Sequence, residues 1–477
     1  MASTPWPFIV DGYVGNVPIN WYPVKDSERK AILFGSPGLK SLCQLTDCTE
    51  VRGLYAWENY LYAVARRGSA SVFWRIDTSA GNASELGAIT TSFTGPVWMF
   101  NNLTQLLITD NTLTGGYVYT LASGQLKQIT DPNFMGAGAA AYQDTFGLLV
   151  KPGSIFWQFS NPLDFLTYGA NNNYAKEGDT DNILGILSDG TNIVIGGEKS
   201  TEFWQGTGGD NQSSATATFK RVPGILLKYG WASPAAGCIF DNTPAWLSHQ
   251  GQMIRVSCYA PQIISIDMLG RAIHGHGNKP GMASIGDALT FSYVDQEHTF
   301  LQLTVGGQTW MYDAKTQLWH QKQSYLSDGS GWGRHRANCY ALLNNKHWVG
   351  DYENGKIYEM SSAYFDDDGQ VFPSSICSQE WDGGQTKIKF GRVEIRFEQG
   401  TGLVSGQGAD PQAMLYKSND GGEVWQDMGW RSMGKIGERT KRCLWLRNGM
   451  DRRRLYKLEI PDPIQRTLLA VDWGMQP

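Results

Sequence analysis

The chain has 477 residues, of which 41% are hydrophobic and 18% charged, with a formal net charge of −5. It is too hydrophobic and too weakly charged to stay disordered, and its net charge gives no long-range field toward nucleic acid or an acidic substrate. No stretch approaches the ~18 uninterrupted apolar residues of a membrane helix, and the start, MASTPWPFIVDGYVGN, has neither a basic nor an apolar leader region, so assembly in a cytoplasm without membrane insertion is expected.

Residues 1–50 show little alternation, and Pro5 and Pro7 flank Trp6; the segment reads as an extended N-terminal arm. Beyond it the dominant period is 2 rather than 3.6, in ENYLYAVARR (58–67), SVFWRID (71–77), YVYTLASGQLKQIT (117–130), TNIVIGG (191–197), TFLQLTVGGQTWMYDA (299–314) and GKIYEMS (355–361). Alternating aromatic and β-branched side chains suit a pleated, half-buried surface. Ser188-Asp189-Gly190, Gln250-Gly251, Gly306-Gly307 and Asn354-Gly355 separate such runs, and they accept the positive φ that tight hairpins require. Aromatic-bearing hairpins recur at Trp57, Trp98, Tyr142, Trp204, Trp246, Trp310 and Trp348. A period of roughly 40–45 residues with four strands per unit predicts a β-propeller of about six or seven blades over 51–365.

After Tyr364 the pattern changes. Asp366-Asp367-Asp368-Gly369 reads as a linker, and the following runs are longer and more charged: IKFGRVEIRFEQG (388–400), QAMLYKSNDGGEVWQDMGW (412–430), KRCLWLRNGM (441–450) and RLYKLEIPD (454–462). Residues 366–477 are therefore expected to form an antiparallel β-sandwich-like domain, which makes the whole chain all-β.

The search for chemistry yields little that is catalytic. Ser418-Asn419-Asp420-Gly421-Gly422-Glu423-Val424-Trp425 fits the Asp-box pattern, in which Ser418 and Asp420 bond turn amides and Trp425 packs beneath; Gly422 completes this structural turn. His274 and His276 with Asp267 could chelate a metal, but a Gly between two His offers no rigid support. Asp366–Asp368 lacks the closing Glu of a calcium loop, and Asp295, Glu297 and His298 share one hairpin turn, where turn chemistry is the simpler reading. Gly206-Thr207-Gly208-Gly209 does not open a helix, and no nucleophile elbow or P-loop occurs. The seven Cys are odd in number and without a CxxC pair, so free thiols are expected. The reading is thus of no enzyme, with no catalytic, cofactor-binding or metal residues.

The most distinctive polar feature is cationic: Arg431, Lys435, Arg439, Lys441, Arg442, Arg447, Arg452, Arg453, Arg454 and Lys457, with only Glu438 and Asp451 between 431 and 457. Such residues can meet phosphate, blunt a sheet edge or pair across subunits, and subunit contact through Arg442, Arg447, Arg452, Arg453 and Arg454 is the favoured reading.

Three separated stretches resemble the tail-hub family of short-tailed bacteriophages, also called packaged-DNA stabilisation or tail accessory proteins. NVPINWYPV (16–24) is similar to that family's "vNlYPe" motif and FGSPGLKSL (34–42) to the turn that follows it, with Val24 standing where the family commonly has an acid. GDYENGKIY (350–358) resembles its last-blade hairpin. GRVEIRFEQGTG (391–402), YKSNDGGEVWQDMG (416–429) and LWLRNGMDRRRLYKLEI (444–460) resemble its C-terminal sandwich. The resemblance implies a structural virion protein: a ring, typically of six copies, below the portal and the adaptor, closing the DNA exit channel and carrying tail fibres or tailspikes. The arm, through Asn20, Trp21, Tyr22 and Pro23, would dock on the adaptor, and contact with packaged DNA would be transient. The competing reading is a carbohydrate-binding or glycoside-cleaving propeller, because loops such as SDGSGWGRHR (327–336) can stack sugars; a third is a free cytoplasmic scaffold.

Overall fold

A computed structural model describes residues 17–25, 31–92, 94–208, 217–276 and 279–476; Pro5, Trp6 and Pro7 of the expected arm and Asn16 of its motif lie outside them. The chain divides into two compact units, one of residues 41–307 and 336–359, the other of 1–40, 308–335 and 360–477.

In the first unit, five successive four-stranded antiparallel sheets follow one another, each a meander in sequence order, beginning at Glu50, Trp98, Ala140, Ile183 and Gly237. Hairpins Leu289–Asp295 with His298–Val305, and Ala337–Leu343 with Lys346–Asp351, continue the series. The first strands of these seven groups neighbour one another in order, and Ala337–Leu343 returns to Glu50–Trp57, so seven inner strands close a ring. This is the propeller expected from the repeat, and closure removes the free inner edges that an open sheet would expose. The strand edges follow the alternation closely: ENYLYAVARR becomes Tyr60–Arg67 and TNIVIGG becomes Asn192–Gly197.

Apolar layers between neighbouring sheets form the core, for example Trp157, Phe159, Ile193, Ile195, Trp204 and Phe219. The turn at Gly306-Gly307 has φ of 55° and 74° at the two glycines, a pairing that side chains would strain. One expectation changes. His274, expected to lack rigid support, ends the helix Asp267–His274, whose Leu269 and Ile273 are buried while Asp267 and Arg271 pair at 2.6 Å.

In the second unit, two antiparallel sheets face each other. One has the order Trp21–Lys25, Ala31–Gly35, Thr467–Gln476, Ile388–Phe397, Cys443–Leu446; the other Ser374–Cys377, Arg453–Ile460, Gln412–Ser418, Gln426–Ser432. Their inner faces pack Trp21, Leu33, Val393, Ile395, Leu415, Trp445, Tyr456 and Leu458 into one core. In Ile388–Phe397 a register shift at Gly391 moves the buried phase from Phe390 to Val393, Ile395 and Phe397. The sandwich expected from the charged C-terminal strands is present, but it begins at residue 21. Residues 31–35 pair with 467–468, and Ile19 bridges both Ser375 and Gln321, which draws residues 308–335 into this unit.

The Asp366–Gly369 linker is also corrected. Asp367 is buried and accepts from Ser324 Oγ at 2.6 Å, Asp368 N–H donates to Leu39 O at 2.7 Å, and Leu39 N–H donates to Asp366 O at 2.9 Å. A carboxylate that satisfies a hydroxyl and lies beside the buried Arg466 is fixed structure, whereas a linker needs hydrated backbone.

Candidate functional site

The cationic cluster of the sequence is not one patch. Arg442 makes a two-pronged pair with Glu394, at 2.7 and 2.6 Å, and Arg453 pairs with Glu380 at 2.8 Å. The Glu394 carboxyl sits below the usual carboxylate range, first because Arg442 donates to it. Lys441 lies 3.7 Å from Glu438, and Lys457 sits over the rings of Tyr416 and Trp425, at 4.5 and 5.5 Å. Arg431 donates to Leu444 O and lies over Trp445.

Arg454 is 1% exposed, donates to Asn448 O at 2.8 Å, and stacks its guanidinium 4.6 Å from the Phe390 ring. It belongs to the sandwich core and cannot reach a neighbouring subunit. The reason is register: in Arg453–Ile460 burial alternates, and Arg454 shares the inner face with Tyr456, Leu458 and Ile460.

Among the described residues, the side chains of Lys435, Arg439, Arg447 and Arg452 make no ion pair or hydrogen bond. Arg447 and Arg452 flank residues 448–451, where Met450 is 53% exposed, and Leu446 beside Arg447 is 60% exposed. Leu446, Arg447, Gly449 and Met450 line a cleft of about 500 Å³ together with Lys389, Phe390 and Gly391. Two unpaired cations beside two exposed aliphatic side chains give a surface that offers apolar area and directed donors at once.

The Asp box forms a tight turn. Ser418 Oγ donates to Asp420 Oδ1 at 2.6 Å and accepts from Gly422 N–H at 3.0 Å; Asp420 Oδ1 accepts from the Glu423 and Val424 N–H groups, both at 3.1 Å. The Ser418 hydroxyl, then the Val424 amide, hold the Asp420 carboxyl below its ordinary value. Trp425 is half-buried, and Gly421 and Gly422 adopt φ of 80° and 96°.

The four arm residues are inside the protein. Trp21 is fully buried, with its indole N–H on Arg466 O at 3.1 Å. Asn20 has φ of 56°; its amide nitrogen donates to Pro373 O at 2.9 Å and its side-chain oxygen accepts from Gln323 N–H at 2.9 Å. Tyr22 and Pro23 are buried beside them. The expected docking arm is thus a staple of its own sandwich: the Asn20 side chain and the Trp21 indole tie the N-terminal segment to residues more than 300 positions away.

Sequence reasoning missed two constellations in the propeller. The first is buried: Lys176 Nζ donates to the Asp181 carboxylate and to Ser200 Oγ, the latter at 2.6 Å, and Asp181 Oδ2 accepts from the N–H groups of Lys199 and Ser200 at 2.7 and 3.1 Å. A serine, a lysine and an aspartate in contact have the elements of a nucleophile and its base. Here all three are buried beneath the sheet, so no substrate carbonyl can approach, and the group clamps residues 176–181 to the 197–201 turn.

Burial raises the Asp181 carboxyl, but hydrogen bonds from Lys176, the Lys199 amide and Ser200 outweigh it and leave it below its ordinary value. A lowered folded value means stabilisation that is present above the ordinary value and lost as pH falls through the folded one. Asp181→Asn is therefore expected to lower the urea midpoint at pH 7 and to flatten its decline between about pH 4 and pH 2. Equal slopes for the two proteins would exclude this role.

The second constellation joins Tyr340, whose hydroxyl lies 3.0 Å from His347 Nδ1, and Asp295, 4.0 Å from His347 Nε2. Burial pushes His347 below its ordinary value, and burial pushes the Tyr340 phenol up to about 12, so at neutral pH neither ring is charged. Asp295 keeps its place at the base of the hairpin turn, opposite His298 with Gln296 and Glu297 at φ of 46° and 68° between them. Asp267, His274 and His276 do not converge, and among the described residues no group of three His, Cys, Asp or Glu could hold a metal. Residues 327–336, expected as a loop, contain the strand Trp332–Arg334, which pairs with 323–325; Trp332 is 44% exposed and meets Tyr325 edge-on at 5.1 Å.

A closed ring of seven inner strands and a two-sheet sandwich define a propeller–sandwich protein. The family described as bacteriophage P22 Gp10, beta-propeller, matches residues 10–364, and bacteriophage P22 Gp10, beta-sandwich, matches residues 382–473. The chain belongs to this family, the tail nozzle and DNA-stabilisation proteins of short-tailed phages, and is a phage tail structural protein. No curated protein sequence matches it. Among solved structures it is similar to the RRP9 WD40 repeats, at 9% identity and a TM-score of 0.45 over 69% of this chain and 99% of that one. It is also similar to the WD40 domain of Toxoplasma gondii coronin, at 11% identity and a TM-score of 0.37 over 73% and 88%. No helix among the described residues is long and apolar enough to cross a membrane.

Proposed function

We propose that this tail protein assembles as a homo-oligomeric ring, of six copies, below the portal and adaptor of a short-tailed phage. The ring closes the DNA exit channel, retains the packaged DNA with only transient contact, and anchors tail fibres or tailspikes. It performs no catalysis. Family membership supports the tail assignment, and the observation that carries ring formation is the strip Leu446–Arg452, where exposed aliphatic side chains flank the unpartnered Arg447 and Arg452. Stable subunit contacts of the order of 2,000 Å² are anchored by arginines and apolar groups buried together. Arg442 and Arg453, already neutralised within the chain, are the outer members of this surface.

Docking on the adaptor through Asn20, Trp21, Tyr22 and Pro23 would tear these side chains from the sandwich core, so that role falls to the surface of the assembled ring. Stiff closed sheets suit a subunit that must resist the pressure of packaged DNA. The double variant Arg447→Glu/Arg452→Glu is expected to unfold at the same temperature as the parent, because both side chains are exposed and unpaired, yet to give monomers where the parent gives rings in native mass spectrometry. Intact rings of the folded double variant would refute the interface, and a parent chain that stays monomeric with its adaptor would refute the function.

A further inference from the structure

The inner strands of the propeller enclose a cavity of about 520 Å³, within the range of small-molecule pockets. Its composition is regular. Each of the seven strands contributes at least one large apolar or aromatic side chain to the lining, among them Tyr55, Phe100, Tyr142, Leu187, Ile239, Phe291 and Tyr340. All seven are half-buried, so they are neither sealed into the layers between sheets nor released to bulk solvent. Two residues earlier on six of these strands stand Gly53, Trp98, Ala140, Gly237, Leu289 and Asn338, again uncharged and again on the lining.

The polar atoms that reach the cavity are mostly satisfied within the protein. Tyr55 Oη accepts from the Asn101 amide at 2.9 Å, Tyr340 Oη meets His347, Ser188 Oγ donates to Gln143 Oε1 at 2.9 Å, and Ser292 Oγ donates to Ile239 O at 2.6 Å. The one guanidinium among the lining residues, that of Arg52, is buried on Ser71 Oγ and the carbonyls of Ser92, Thr94 and Gly95. The Cys238 and Cys339 thiols are pushed up by burial to about 12 and stay neutral. A phosphate or carboxylate would therefore lose its hydration and meet no free cation, and an ammonium would meet no free carboxylate.

The walls favour a flat guest. The Phe291 and Tyr340 rings lie parallel, 5.6 Å apart with an interplanar angle of 4°, and Tyr55 meets Phe100 edge-on at 6.5 Å. Aromatic faces and edges set in this way recognise a further ring by offset stacking and edge contacts. From these observations we propose that the axial cavity of the propeller is a binding site for a small uncharged aromatic molecule of one or two rings. The seven side chains form its wall, and binding excludes anions and cations of the same size.

The test uses the full chain with 4-fluorotoluene, 4-fluorobenzoate and 4-fluorobenzylamine followed by fluorine NMR. The neutral probe is expected to bind saturably and to be displaced by toluene, with the two charged probes at least tenfold weaker. In the same unsubstituted chain, methyl signals of Leu187 and Ile239 are expected to shift on titration, while that of Val294, which is 61% exposed, stays in place. Ile239→Lys is expected to weaken the neutral probe at least tenfold, and the surface control Val294→Lys to leave it unchanged. Equal binding of all three probes, absence of saturation, or unmoved Leu187 and Ile239 methyls would each overturn the site, the last without any dependence on whether a variant folds. Ring assembly is not required for any of these readings.

Discussion

Trp21→Ala is expected to unfold the sandwich at markedly lower denaturant than the parent, with a loss of about 3–5 kcal/mol from the missing indole alone. Trp21 lies between the two sheets, in contact with the core that contains Leu33, Ile395, Tyr456 and Leu468, and no part of it is exposed. The substitution empties a site that the surrounding strands cannot refill, since they are held in register by their own ladders. It also orphans Arg466 O, for which a lost hydrogen bond adds roughly 0.5–1.5 kcal/mol. Against a typical domain stability of about 5–15 kcal/mol the sum is decisive. Trp21→Phe keeps most of the area and should recover more than half of the loss. A urea midpoint for Trp21→Ala within experimental error of the parent would show that the N-terminal segment is not part of the folded core. The adaptor-docking reading of the same residue makes the opposite prediction, a stable monomer with impaired attachment, so one melt separates the two.

Arg454→Glu will give no soluble folded protein, whereas Arg452→Glu, two positions earlier, will fold as the parent does. Arg452 precedes the strand Arg453–Ile460 and faces solvent, whereas Arg454 lies on that strand's inward face. Arg452 is exposed and its side chain is unpartnered among the described residues, and surface changes of that kind usually fall within about ±0.5 kcal/mol. Arg454 points inward, where its guanidinium donates to Asn448 O and lies against the Phe390 and Tyr456 rings. A carboxylate in its place would face a carbonyl oxygen and the negative faces of two rings, in a space closed to water. Removing one partner from a buried charged contact already costs about 3–5 kcal/mol, and reversing the charge costs more. Arg454→Met, which keeps the volume and removes the donor only from Asn448 O and Tyr456 Oη, should retain the fold with a loss of about 1–3 kcal/mol. Circular dichroism and the soluble fraction after expression test all three. If Arg454→Glu folds and melts like the parent, the side chain is not in the core. A triple reversal across 452–454 cannot probe assembly, because it would destroy the subunit before any ring could form.

How much of this was legible beforehand depends on the range of the interaction concerned. ENYLYAVARR, TNIVIGG and GKIYEMS predict strands because the pleat repeats every two residues, and a side chain's face is then fixed by its own neighbours. The Gly306-Gly307 turn and the Asp box are local for the same reason: Ser418 and Asp420 bond amides no more than four residues away. In Arg453–Ile460 the inward positions are Arg454, Tyr456, Leu458 and Ile460, so the burial of Arg454 was written in the alternation of its strand.

The chain's sequence by itself determined that it is all-β, that an aromatic hairpin repeats through its first part, and that a charged sandwich follows, because these rest on contacts between residues close in the chain. The tertiary structure alone decided which cations are free, that Trp21 and Asn20 are fastened inside the sandwich, that Lys176, Asp181 and Ser200 share one buried network, and that seven inner strands line a common cavity. Those facts depend on pairing between segments far apart in the chain, as Asn20 and Pro373 are at 353 positions. No local period encodes which distant strand supplies the partner, and only the closing of the sheets brings the groups within bonding distance.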